Sequence, residues 1–392
     1  MDGRTVKAGG PARRVAILGS TGSIGRQALE VVEALAGRAR VVALAARRDA
    51  AALAEQAVRW QPEAVALTDP EGVEEFRQMA SGWRGELLVG PQALEEVARW
   101  PSADVVLVAV VGVAGLLPSL AAIEAGKELA LANKETLVAA GELVRERAAS
   151  CGARIVPVDG EHSAIYQCLQ AEQRRDRVSR IVLTASGGPF LRRSLESMES
   201  ATPEEALQHP TWRMGPKITV DSATLMNKAL EVIEARWLFD LPAERIEVLI
   251  HPQSVVHGMV EFVDGSSLAH LSRPDMRLFI QYALTGMDRL PPGFGRLDWT
   301  VPQTLTFEPP DLRRFPCLGY AYEALAVGGT LPAVLNAANE VAVQRFLDGE
   351  VPFGRIPKLV RAAMDLHEPR PRPTLEEILE ADRWARALVR SL

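Results

Sequence analysis

The segment Arg14-Val-Ala-Ile-Leu-Gly19-Ser-Thr-Gly22-Ser-Ile-Gly25 joins a short apolar run to three glycines spaced three residues apart. The apolar run predicts a buried strand, and the glycines predict a tight turn that opens a helix. Glycines let the backbone approach a pyrophosphate, whose charge the free N–H groups of the helix N-terminus stabilise. The spacing is GxxGxxG rather than the more usual GxGxxG, so a plain strand-to-helix turn stays open as an alternative.

This turn opens a longer alternation of short β-branched runs and helical stretches. The apolar runs recur at residues 15–18, 41–45, 64–67, 105–108, 129–131 and 155–157. Helical patterns lie between them, for example over residues 24–35 and 116–125. Strands that alternate with helices predict a parallel sheet covered on both faces. The fold class predicted for this region is therefore α/β, with a Rossmann-like, doubly wound sheet.

The middle of the chain has a different pattern. Residues 181–185 predict a strand that leads into Gly187-Gly188, and residues 222–238 predict one long helix. Further strands are predicted over residues 248–250, 259–263 and 267–271. Asp264-Gly265 is a hairpin signal between the last two strands. We interpret this region as an α+β catalytic domain.

These patterns, with the proline-rich stretch and the helical patterns that follow it, predict five segments. Prolines crowd the stretch near residue 300, as in an extended linker, and the helical patterns beyond it predict a small bundle. The predicted segments are an N-terminal arm (1–13), a dinucleotide-binding domain (14–157), a catalytic domain (158–289), a linker (290–310) and a C-terminal helical domain (311–392).

Charge and composition exclude several functions. The chain has 392 residues, a net charge of -6 and a pI of about 5.7. Such a chain has no overall attraction to nucleic acid or to an anionic membrane, so neither is expected as a partner. Residues 105–123 carry no charge, but glycines and a proline interrupt them, so a strand, loop and helix explain them better than a membrane span. The three cysteines are scattered, which fits a reducing, cytoplasmic location.

The second predicted strand leads into Arg47-Arg48-Asp49. At this point of a dinucleotide-binding fold, a carboxylate suits the ribose 2′-hydroxyl of NAD, and arginine suits the 2′-phosphate of NADP. Two adjacent guanidinium groups favour NADP. Asp49 leaves NAD open, and solvated surface arginines are the simpler alternative.

Acidic residues follow a later strand in Pro157-Val-Asp159-Gly-Glu161-His162. If the extended backbone continues, Asp159 and Glu161 point the same way and repel each other unless a cation or proton lies between them. Oxygen ligands of this kind suit Mg²⁺ or Mn²⁺. A solvated acidic loop is the alternative.

A second group of polar residues, which includes one carboxylate, lies on the long predicted helix. Asn227 and Lys228 precede Glu231 by four and three residues, so the three share one helical face. An amide, an ammonium and a carboxylate in one stripe suit a phosphate at one end and a metal at the other. A Lys–Glu pair facing water explains the same spacing.

Two loops complete the set of candidate sites. Ser186-Gly-Gly offers a hydroxyl and exposed backbone N–H groups, which suit an anion, although a simple turn has the same sequence. His209-Pro-Thr-Trp212-Arg-Met214-Gly215 places an imidazole and an indole in a loop, as in a mobile lid over a ligand. Trp212 is equally suited to anchor a core.

Eight runs, taken together and in this order, resemble the 1-deoxy-D-xylulose 5-phosphate reductoisomerases of the non-mevalonate isoprenoid pathway. The runs are Gly19-Ser-Thr-Gly-Ser-Ile-Gly25, Leu131-Ala-Asn-Lys-Glu-Thr-Leu-Val138, Pro157-Val-Asp-Gly-Glu-His-Ser-Ala164, Thr184-Ala-Ser-Gly-Gly-Pro-Phe190, His209-Pro-Thr-Trp-Arg-Met-Gly215, Val220-Asp-Ser-Ala-Thr-Leu-Met-Asn-Lys-Ala-Leu-Glu231, Ile250-His-Pro-Gln-Ser-Val-Val-His257 and Asn336-Ala-Ala-Asn-Glu340. The resemblance extends from about Val15 into the C-terminal region.

The resemblance implies a V-shaped homodimer that binds NADPH, one divalent cation (Mg²⁺, Mn²⁺ or Co²⁺) and a small sugar phosphate. It implies dimerisation through residues 158–289. The reaction that it implies is the isomerisation and reduction of 1-deoxy-D-xylulose 5-phosphate to 2-C-methyl-D-erythritol 4-phosphate. The cation would polarise the substrate carbonyl, and the rearranged aldehyde would accept hydride from NADPH.

The resemblance also assigns roles to individual residues. The implied metal ligands are Asp159, Glu161 and Glu231. The implied catalytic residues are Lys134, Glu135, Glu161 and Glu231. The implied substrate contacts are Glu161, Ser186, His209, Trp212, Ser222, Asn227, Lys228 and Glu231. Four of them, Ser186, Ser222, Asn227 and Lys228, are the implied contacts to the substrate phosphate. The implied cofactor contacts are Thr21, Gly22, Ser23, Ile24, Arg47, Arg48, Asn133, Lys134, Glu135 and Gly215.

Two positions depart from the family pattern. Gly160 stands where the family often has serine, so a hydroxyl contact to substrate is missing there. Arg47-Arg48-Asp49 replaces a Gly-Lys/Arg-Asn sequence, so Arg48 keeps the basic position while Asp49 replaces an amide. Two other functions stay open: an NADP-dependent oxidoreductase with a different substrate, and a non-enzymatic NADP-binding protein without a metal site.

Overall fold

The computed structural model describes residues 12–172, 174–291 and 293–392. Residues 1–11 of the predicted arm and Pro292 of the predicted linker lie outside the described residues.

The N-terminal region forms one parallel sheet. Its strands are β1 Arg13–Leu18, β2 Ala39–Ala46, β3 Ala64–Leu67, β4 Glu86–Val89, β5 Val105–Val108, β6 Glu128–Leu131 and β7 Ile155–Pro157. They pair in the order β4-β3-β2-β1-β5-β6-β7, and every pair is parallel. The strand order reverses at β1, and ligands of such sheets bind beyond the carboxyl ends of the strands at this point.

Helices cover both faces of this sheet, as the alternating pattern predicted. The helices are α1 Ser23–Ala34, α2 Ala50–Trp60, α3 Val73–Met79, α4 Ala93–Ala98, α5 Leu116–Glu124 and α6 Lys134–Cys151. Alternate residues of β1 enter opposite cores: Val15 and Ile17 pack with α1 and α2, whereas Ala16 and Leu18 pack with α4 and α5. The prediction of a doubly wound α/β fold is confirmed.

The edge strand β4 is absent from the strands predicted above. Its residues Glu86–Val89 have the burial pattern of an edge, with both ends exposed. A strand exposed in this way lacks the continuous apolar run that marks the buried strands of a parallel sheet.

The middle region forms a second, mixed sheet of four strands. Its strands are β8 Val178–Ala185, β9 Ile246–Ile250, β10 Val256–Phe262 and β11 Ser267–Leu271. They pair in the order β11-β10-β8-β9. The predicted hairpin is confirmed, since β10 and β11 are antiparallel and Gly265 has a φ of 84°. The helices of this region are α7 Gly160–Leu169, α8 Leu195–Glu199, α9 Pro203–Ala206, α10 Pro216–Ala223, α11 Met226–Phe239 and α12 Met276–Leu284.

The single helix predicted over residues 222–238 is wrong. Two helices, α10 and α11, meet at a corner where Leu225 has a left-handed φ of 57°. A non-glycine residue pays a steric cost in that region, so the surrounding packing imposes the corner. Leu225 is 2% exposed, which is consistent with this explanation.

The C-terminal region is helical, as predicted. Its helices are α13 Cys317–Val327, α14 Leu331–Leu347, α15 Arg355–Leu366 and α16 Leu375–Ser391. The central helix α14 is buried along most of its length and packs against α15 and α16. It also contacts α6 and α10, so the bundle supports elements that carry candidate site residues. Within the described residues, every helix is too short or too polar to span a bilayer.

Candidate active site

One open cleft lies beyond the carboxyl ends of the parallel strands. Ser23 and Ile24 of the glycine-rich turn line this cleft, and so do the acidic residues. Ser186 and the loop 209–215 also reach it from the middle region. The fold thus brings to one place residues that are more than 200 positions apart in the sequence.

The predicted metal ligands converge in this cleft. Asp159 precedes α7, Glu161 lies in its first turn, and Glu231 lies in α11. Nζ of Lys134 lies 2.6 Å from Oδ2 of Asp159 and 3.2 Å from Oε1 of Glu231. Nζ of Lys228 lies 2.7 Å from Oε1 of Glu161 and also contacts Oε2 of Glu231. Two ammonium groups are therefore shared among three carboxylates.

The charges of this cluster do not balance. Three carboxylates face two ammonium groups, which leaves one excess negative charge in a buried site. Burial and the neighbouring Glu231 raise the pKa of Glu161 to about 8, so the cluster retains a proton there. Burial opposes the charge of Asp159, but Lys134 lowers its pKa below the ordinary value. The cluster thus requires additional positive charge when all three carboxylates ionise.

A divalent cation fits that requirement. Three carboxylates and the amide oxygen of Asn227, which accepts from Nζ of Lys134 at 2.8 Å, form an all-oxygen donor set. Hard cations such as Mg²⁺ and Mn²⁺ bind such donors. The ammonium groups lie where carboxylate oxygens meet, so they would have to turn aside when a cation binds.

His162 lies within the same cluster but is poorly placed as a ligand. One oxygen each of Asp159 and Glu231 lies within 4.8 Å of a ring nitrogen of His162. However, Nε2 lies 2.9 Å from the backbone oxygen of Glu231, and Nδ1 faces the buried Oε2 of Glu234 at 3.4 Å. Both ring nitrogens are directed at groups other than the carboxylate cluster, so His162 is a weaker candidate ligand than the carboxylates.

The structure corrects the reason given for pairing Asp159 with Glu161. The backbone does not stay extended there, because α7 begins at Gly160. A Cβ at Gly160 would lie 3.1 Å from Cε2 of Phe279. The Phe279 ring therefore leaves little space for a side chain at position 160. Glycine therefore fits position 160 in this chain.

The predicted phosphate residues surround the turn after β8. Gly187 and Gly188 have left-handed φ values of 87° and 68°, and a Cβ at Gly188 would lie 2.5 Å from the carbonyl oxygen of Ser222. This close approach brings Ser186 and Ser222 to the same side of the cleft. Asn227 and Lys228 follow after the corner at Leu225. All four predicted phosphate contacts therefore line one cavity.

His209 organises the loop 209–215. Its Nδ1 accepts hydrogen bonds from the backbone N–H groups of Thr211 (3.1 Å) and Trp212 (2.9 Å). The proton of the neutral ring is consequently on Nε2, which lies 2.9 Å from Oγ of Ser186. Burial lowers the pKa of His209, in keeping with the neutral form. Trp212 is half-buried and packs edge-on against His257, with ring centroids 6.5 Å apart.

The glycine-rich turn has the geometry that a dinucleotide requires. Gly19 has a φ of 87°, and a Cβ there would lie 2.6 Å from the carbonyl oxygen of Ala109. A Cβ at Gly25 would lie 2.2 Å from the carbonyl oxygen of Gly19. Gly22 and Ser23 are exposed at the N-terminus of α1. Ser23 and Ile24 line the cleft, while Thr21 and Gly22 lie beside them in the turn.

The arginines after β2 differ in their partners. Nε of Arg48 donates to Oδ2 of Asp69 at 2.8 Å. Asp49 caps α2 by accepting from the N–H of Ala52 at 3.1 Å. Among the described residues, Arg47 forms no ion pair and is exposed. The carboxylate of Asp49 is thus used by its own helix, and a free guanidinium remains for a 2′-phosphate.

Two predicted contacts lie behind the cleft wall. Asn133 is 1% exposed, and its side chain caps α6 and donates to the backbone oxygens of Val110 (3.0 Å) and Gly112 (2.9 Å). The Glu135 carboxylate accepts from Asn133 and from Lys217. Within the described part of the chain, neither side chain lines the cleft, whereas Lys134 between them does.

Several residues that line the cleft were not singled out in the sequence, among them Gln27, Arg213 and Met276. Gln27 lies one helical turn after Ser23 on α1, and this spacing was an available signal. Arg213 lies inside the predicted lid. Met276 begins α12, far along the chain, and no local pattern marks it.

Comparisons with known proteins agree with this geometry. Models of the 1-deoxy-D-xylulose 5-phosphate reductoisomerase family match residues 15–141, its C-terminal domain model matches residues 155–239, and a DXP reductoisomerase C-terminal domain matches residues 271–388. The 1-deoxy-D-xylulose 5-phosphate reductoisomerase of Pelotomaculum thermopropionicum is 54% identical over 375 residues, which cover 95% of this chain and 97% of the relative. The reductoisomerase of Heliobacterium modesticaldum is 56% identical over 377 residues, which cover 95% and 96%.

Solved structures of similar proteins have the same fold. The reductoisomerase from Zymomonas mobilis in complex with NADPH is 44% identical and covers 97% of this chain and 98% of its own, with a TM-score of 0.90. A DOX-P reductoisomerase in complex with NADPH, fosmidomycin and magnesium is 40% identical, with the same coverage and a TM-score of 0.91.

The glycine-rich turn of the doubly wound sheet faces a cluster of carboxylates and a group of residues suited to bind a phosphate. This combination is typical of a dinucleotide-dependent, cation-assisted oxidoreductase. The matches are specific and span nearly the whole chain. The chain belongs to the 1-deoxy-D-xylulose 5-phosphate reductoisomerase family.

Proposed function

We propose that this chain converts 1-deoxy-D-xylulose 5-phosphate to 2-C-methyl-D-erythritol 4-phosphate with NADPH and one divalent cation. One observation carries the proposal: Asp159, Glu161 and Glu231 meet in the same cleft that the glycine-rich turn enters. Family membership agrees with this arrangement.

The carboxylates of Asp159, Glu161 and Glu231 would hold the cation, and the turn at Thr21–Ile24 would hold the dinucleotide phosphates. When bound, the cation polarises the substrate carbonyl and NADPH supplies hydride. Arg47 and Arg48 are placed after β2, where a 2′-phosphate is expected. Gly215, at the end of the lid and just before α10, lines the same cleft as Ser23.

The phosphate side of the cleft anchors the substrate. Ser186, Ser222, Asn227 and Lys228 offer hydroxyl, amide and ammonium donors on one wall. Because Lys228 also pairs with Glu161 and Glu231, its ammonium lies between the phosphate wall and the reacting end. Binding energy from the remote phosphate holds the reacting carbons in place, which raises turnover as well as affinity.

Lys134 acts at the reacting end. It is 6% exposed, and the carboxylates of Asp159 and Glu231 raise its pKa well above the ordinary value against the effect of burial. A charged ammonium in this position neutralises negative charge that develops on substrate oxygens. His209 and Trp212 close the lid over the cleft and exclude water.

An activity assay tests this function. The purified chain should oxidise NADPH in the presence of 1-deoxy-D-xylulose 5-phosphate and Mn²⁺, and phosphorus NMR should show 2-C-methyl-D-erythritol 4-phosphate. A chelator should stop the reaction, and added Mn²⁺ should restore it. NADPH that stays reduced with substrate and metal present would favour an oxidoreductase with another substrate.

The domain division predicted from the sequence is part of the proposal. Residues 14–157 carry the dinucleotide, 158–289 the catalytic groups, 290–310 the linker, and 311–392 the helical support. A cytoplasmic location also stays a prediction; it agrees with three free cysteines, two of them buried.

We also propose a homodimer through the free edge of the second sheet. Strand β11 is the last strand of that sheet, and four of its five residues are exposed, including Leu268 and Leu271. A free strand edge with apolar side chains tends to pair with another chain. Two copies related by two-fold symmetry would each cover the edge of the other.

Sedimentation of an edge variant tests the dimer. Leu268→Lys with Leu271→Lys should shift the chain from dimer to monomer, because the added charges would lie close to like charges of the partner copy at the interface. Leu366→Lys is the matched control, since Leu366 is 60% exposed on α15 in the helical bundle and should leave the dimer intact. A double variant that sediments as the unsubstituted chain does would contradict the assignment.

A further inference from the structure

Lys217 is a partly buried cation outside the cleft that the proposed chemistry does not use. It lies in the first turn of α10, two residues after Gly215, and its side chain is 21% exposed. Its Nζ lies 2.8 Å from Oδ2 of Asp221 and 3.3 Å from Oε1 of Glu135. One ammonium therefore bridges a carboxylate of α10 and a carboxylate of α6.

Each of these carboxylates is also held from its other side. Oε2 of Glu135 accepts from Nδ2 of Asn133 at 2.9 Å, and Asn133 fixes the loop after β5. Oδ1 of Asp221 accepts from Nδ2 of Asn339 in α14 at 2.8 Å. Lys217 is consequently the central member of a chain of contacts from the dinucleotide-binding sheet to the C-terminal bundle.

The two carboxylate residues that Lys217 bridges are each next to a cleft residue in the sequence. Lys134 precedes Glu135 and contacts Asp159 and Glu231, whereas Ser222 follows Asp221 on the phosphate wall. Any change in the separation of Glu135 from Asp221 therefore changes the separation of the reacting end from the phosphate wall.

Burial of this triad has a free-energy cost. Asp221 is 1% exposed and Glu135 is 7% exposed, and removing charges from water is unfavourable even when they are paired. Burial opposes the charge of Lys217, but Asp221 and Glu135 raise its pKa, so it stays an ammonium. An apolar contact would join the two helices at lower cost, so the triad is better explained by geometry than by stability.

We propose that Lys217 is a positioning residue that fixes the reacting end of the cleft relative to its phosphate wall and lid, acting through Glu135 and Asp221. The inference rests on the proposed function. It assigns Glu135, which the sequence suggested as catalytic, a positioning role behind the cleft wall.

Replacing Lys217 by methionine tests the inference, with Lys217→Arg as the conservative variant. Methionine leaves Glu135 and Asp221 facing each other without a cation, so α6 and α10 should separate. Because a misplacement of about 1 Å can cost about 100-fold in rate, kcat should fall about 30- to 100-fold. KM for the sugar phosphate should change less than about threefold. Lys217→Arg should keep kcat within about fivefold, because the guanidinium can still bridge both carboxylates.

Lys358→Met is the matched control. Lys358 pairs with Glu199 at 3.1 Å, but its side chain is 58% exposed in the C-terminal bundle. This variant should keep the kcat and KM of the unsubstituted chain.

A second readout does not depend on turnover. Hydrogen exchange of the ligand-free chain should quicken in residues 133–137 and 216–224 together in Lys217→Met, and in neither segment in Lys358→Met. This result tests the positioning role even if the unsubstituted chain does not turn over the sugar phosphate. Such a lack of turnover would count against the proposed function alone. Unchanged exchange in both segments, or a kcat for Lys217→Met equal to that of the unsubstituted chain, would overturn the inference.

Discussion

Replacement of Glu231 by glutamine is expected to lower kcat by about three orders of magnitude while NADPH affinity stays within about threefold. Glu231 is fully buried, and its two oxygens contact both Lys134 and Lys228. The amide removes one charged cation ligand, and Lewis-acid stabilisation is worth several kcal/mol, where about 1.4 kcal/mol corresponds to tenfold in rate. Steady-state kinetics and NADPH fluorescence titration measure the two quantities.

Glu234→Gln is the matched control for this variant. Glu234 lies one helical turn further along α11, is 1% exposed and faces His162 rather than the cleft. Burial raises the pKa of Glu234 well above its ordinary value, which favours the neutral carboxyl group that an amide resembles. We expect its kcat to stay within about fivefold of the unsubstituted chain. Full activity of Glu231→Gln would refute its assignment as a cation ligand.

Replacement of Gly25 by alanine is expected to weaken NADPH binding at least about 100-fold. The added Cβ would lie 2.2 Å from the carbonyl oxygen of Gly19 and 2.5 Å from Cα of Ser20. These are backbone atoms, so α1 must move away from the turn that approaches the phosphates. Fluorescence titration of NADPH into the metal-free chain measures the change without turnover.

Gly82→Ala is the matched control, because it lies in the same sheet domain and its added Cβ would meet only Cγ1 of Val58 at 3.8 Å. That variant should bind NADPH as the unsubstituted chain does. Equal affinity in Gly25→Ala would show that the turn does not carry the dinucleotide phosphates.

The parallel sheet was predictable because its signals are local. Each buried strand is a short apolar run, and alternate residues such as Val15 and Ala16 enter different cores. The edge strand β4 escaped prediction because exposure on both ends removes that signal. An exposed strand is predictable when a turn signal marks it, as Asp264-Gly265 does for β11, and β4 has no such signal.

The residues of the candidate site could be predicted from the sequence, but their spatial arrangement could be predicted only in part. The motifs named Asp159, Glu161 and Glu231, which the fold brings together. The corner at Leu225 was not predictable, because a left-handed leucine depends on the packing around it rather than on its own preference. Because of that corner, Asn227 and Lys228 lie in the first turn of a new helix instead of continuing the helix that carries Ser222.

The positions of Asn133 and Glu135 show a different limit. They flank Lys134 in one motif, and sequence alone gives no reason to separate them from it. At the start of α6 the lysine is directed into the cleft, whereas Asn133 and Glu135 are directed toward the loop after β5 and toward Lys217. A motif therefore identifies a segment of the site, and only the fold distinguishes residues that contact ligands from those behind them.

Anomalous diffraction from crystals of the chain grown with Mn²⁺ and NADPH is the most direct test of the account. We expect one ion with carboxylate oxygens of Asp159, Glu161 and Glu231 at about 2 Å, and Lys134 and Lys228 turned aside from those oxygens. An ion bound elsewhere would contradict the proposed site. So would a cleft in which the two ammonium groups still pair with all three carboxylates at saturating Mn²⁺.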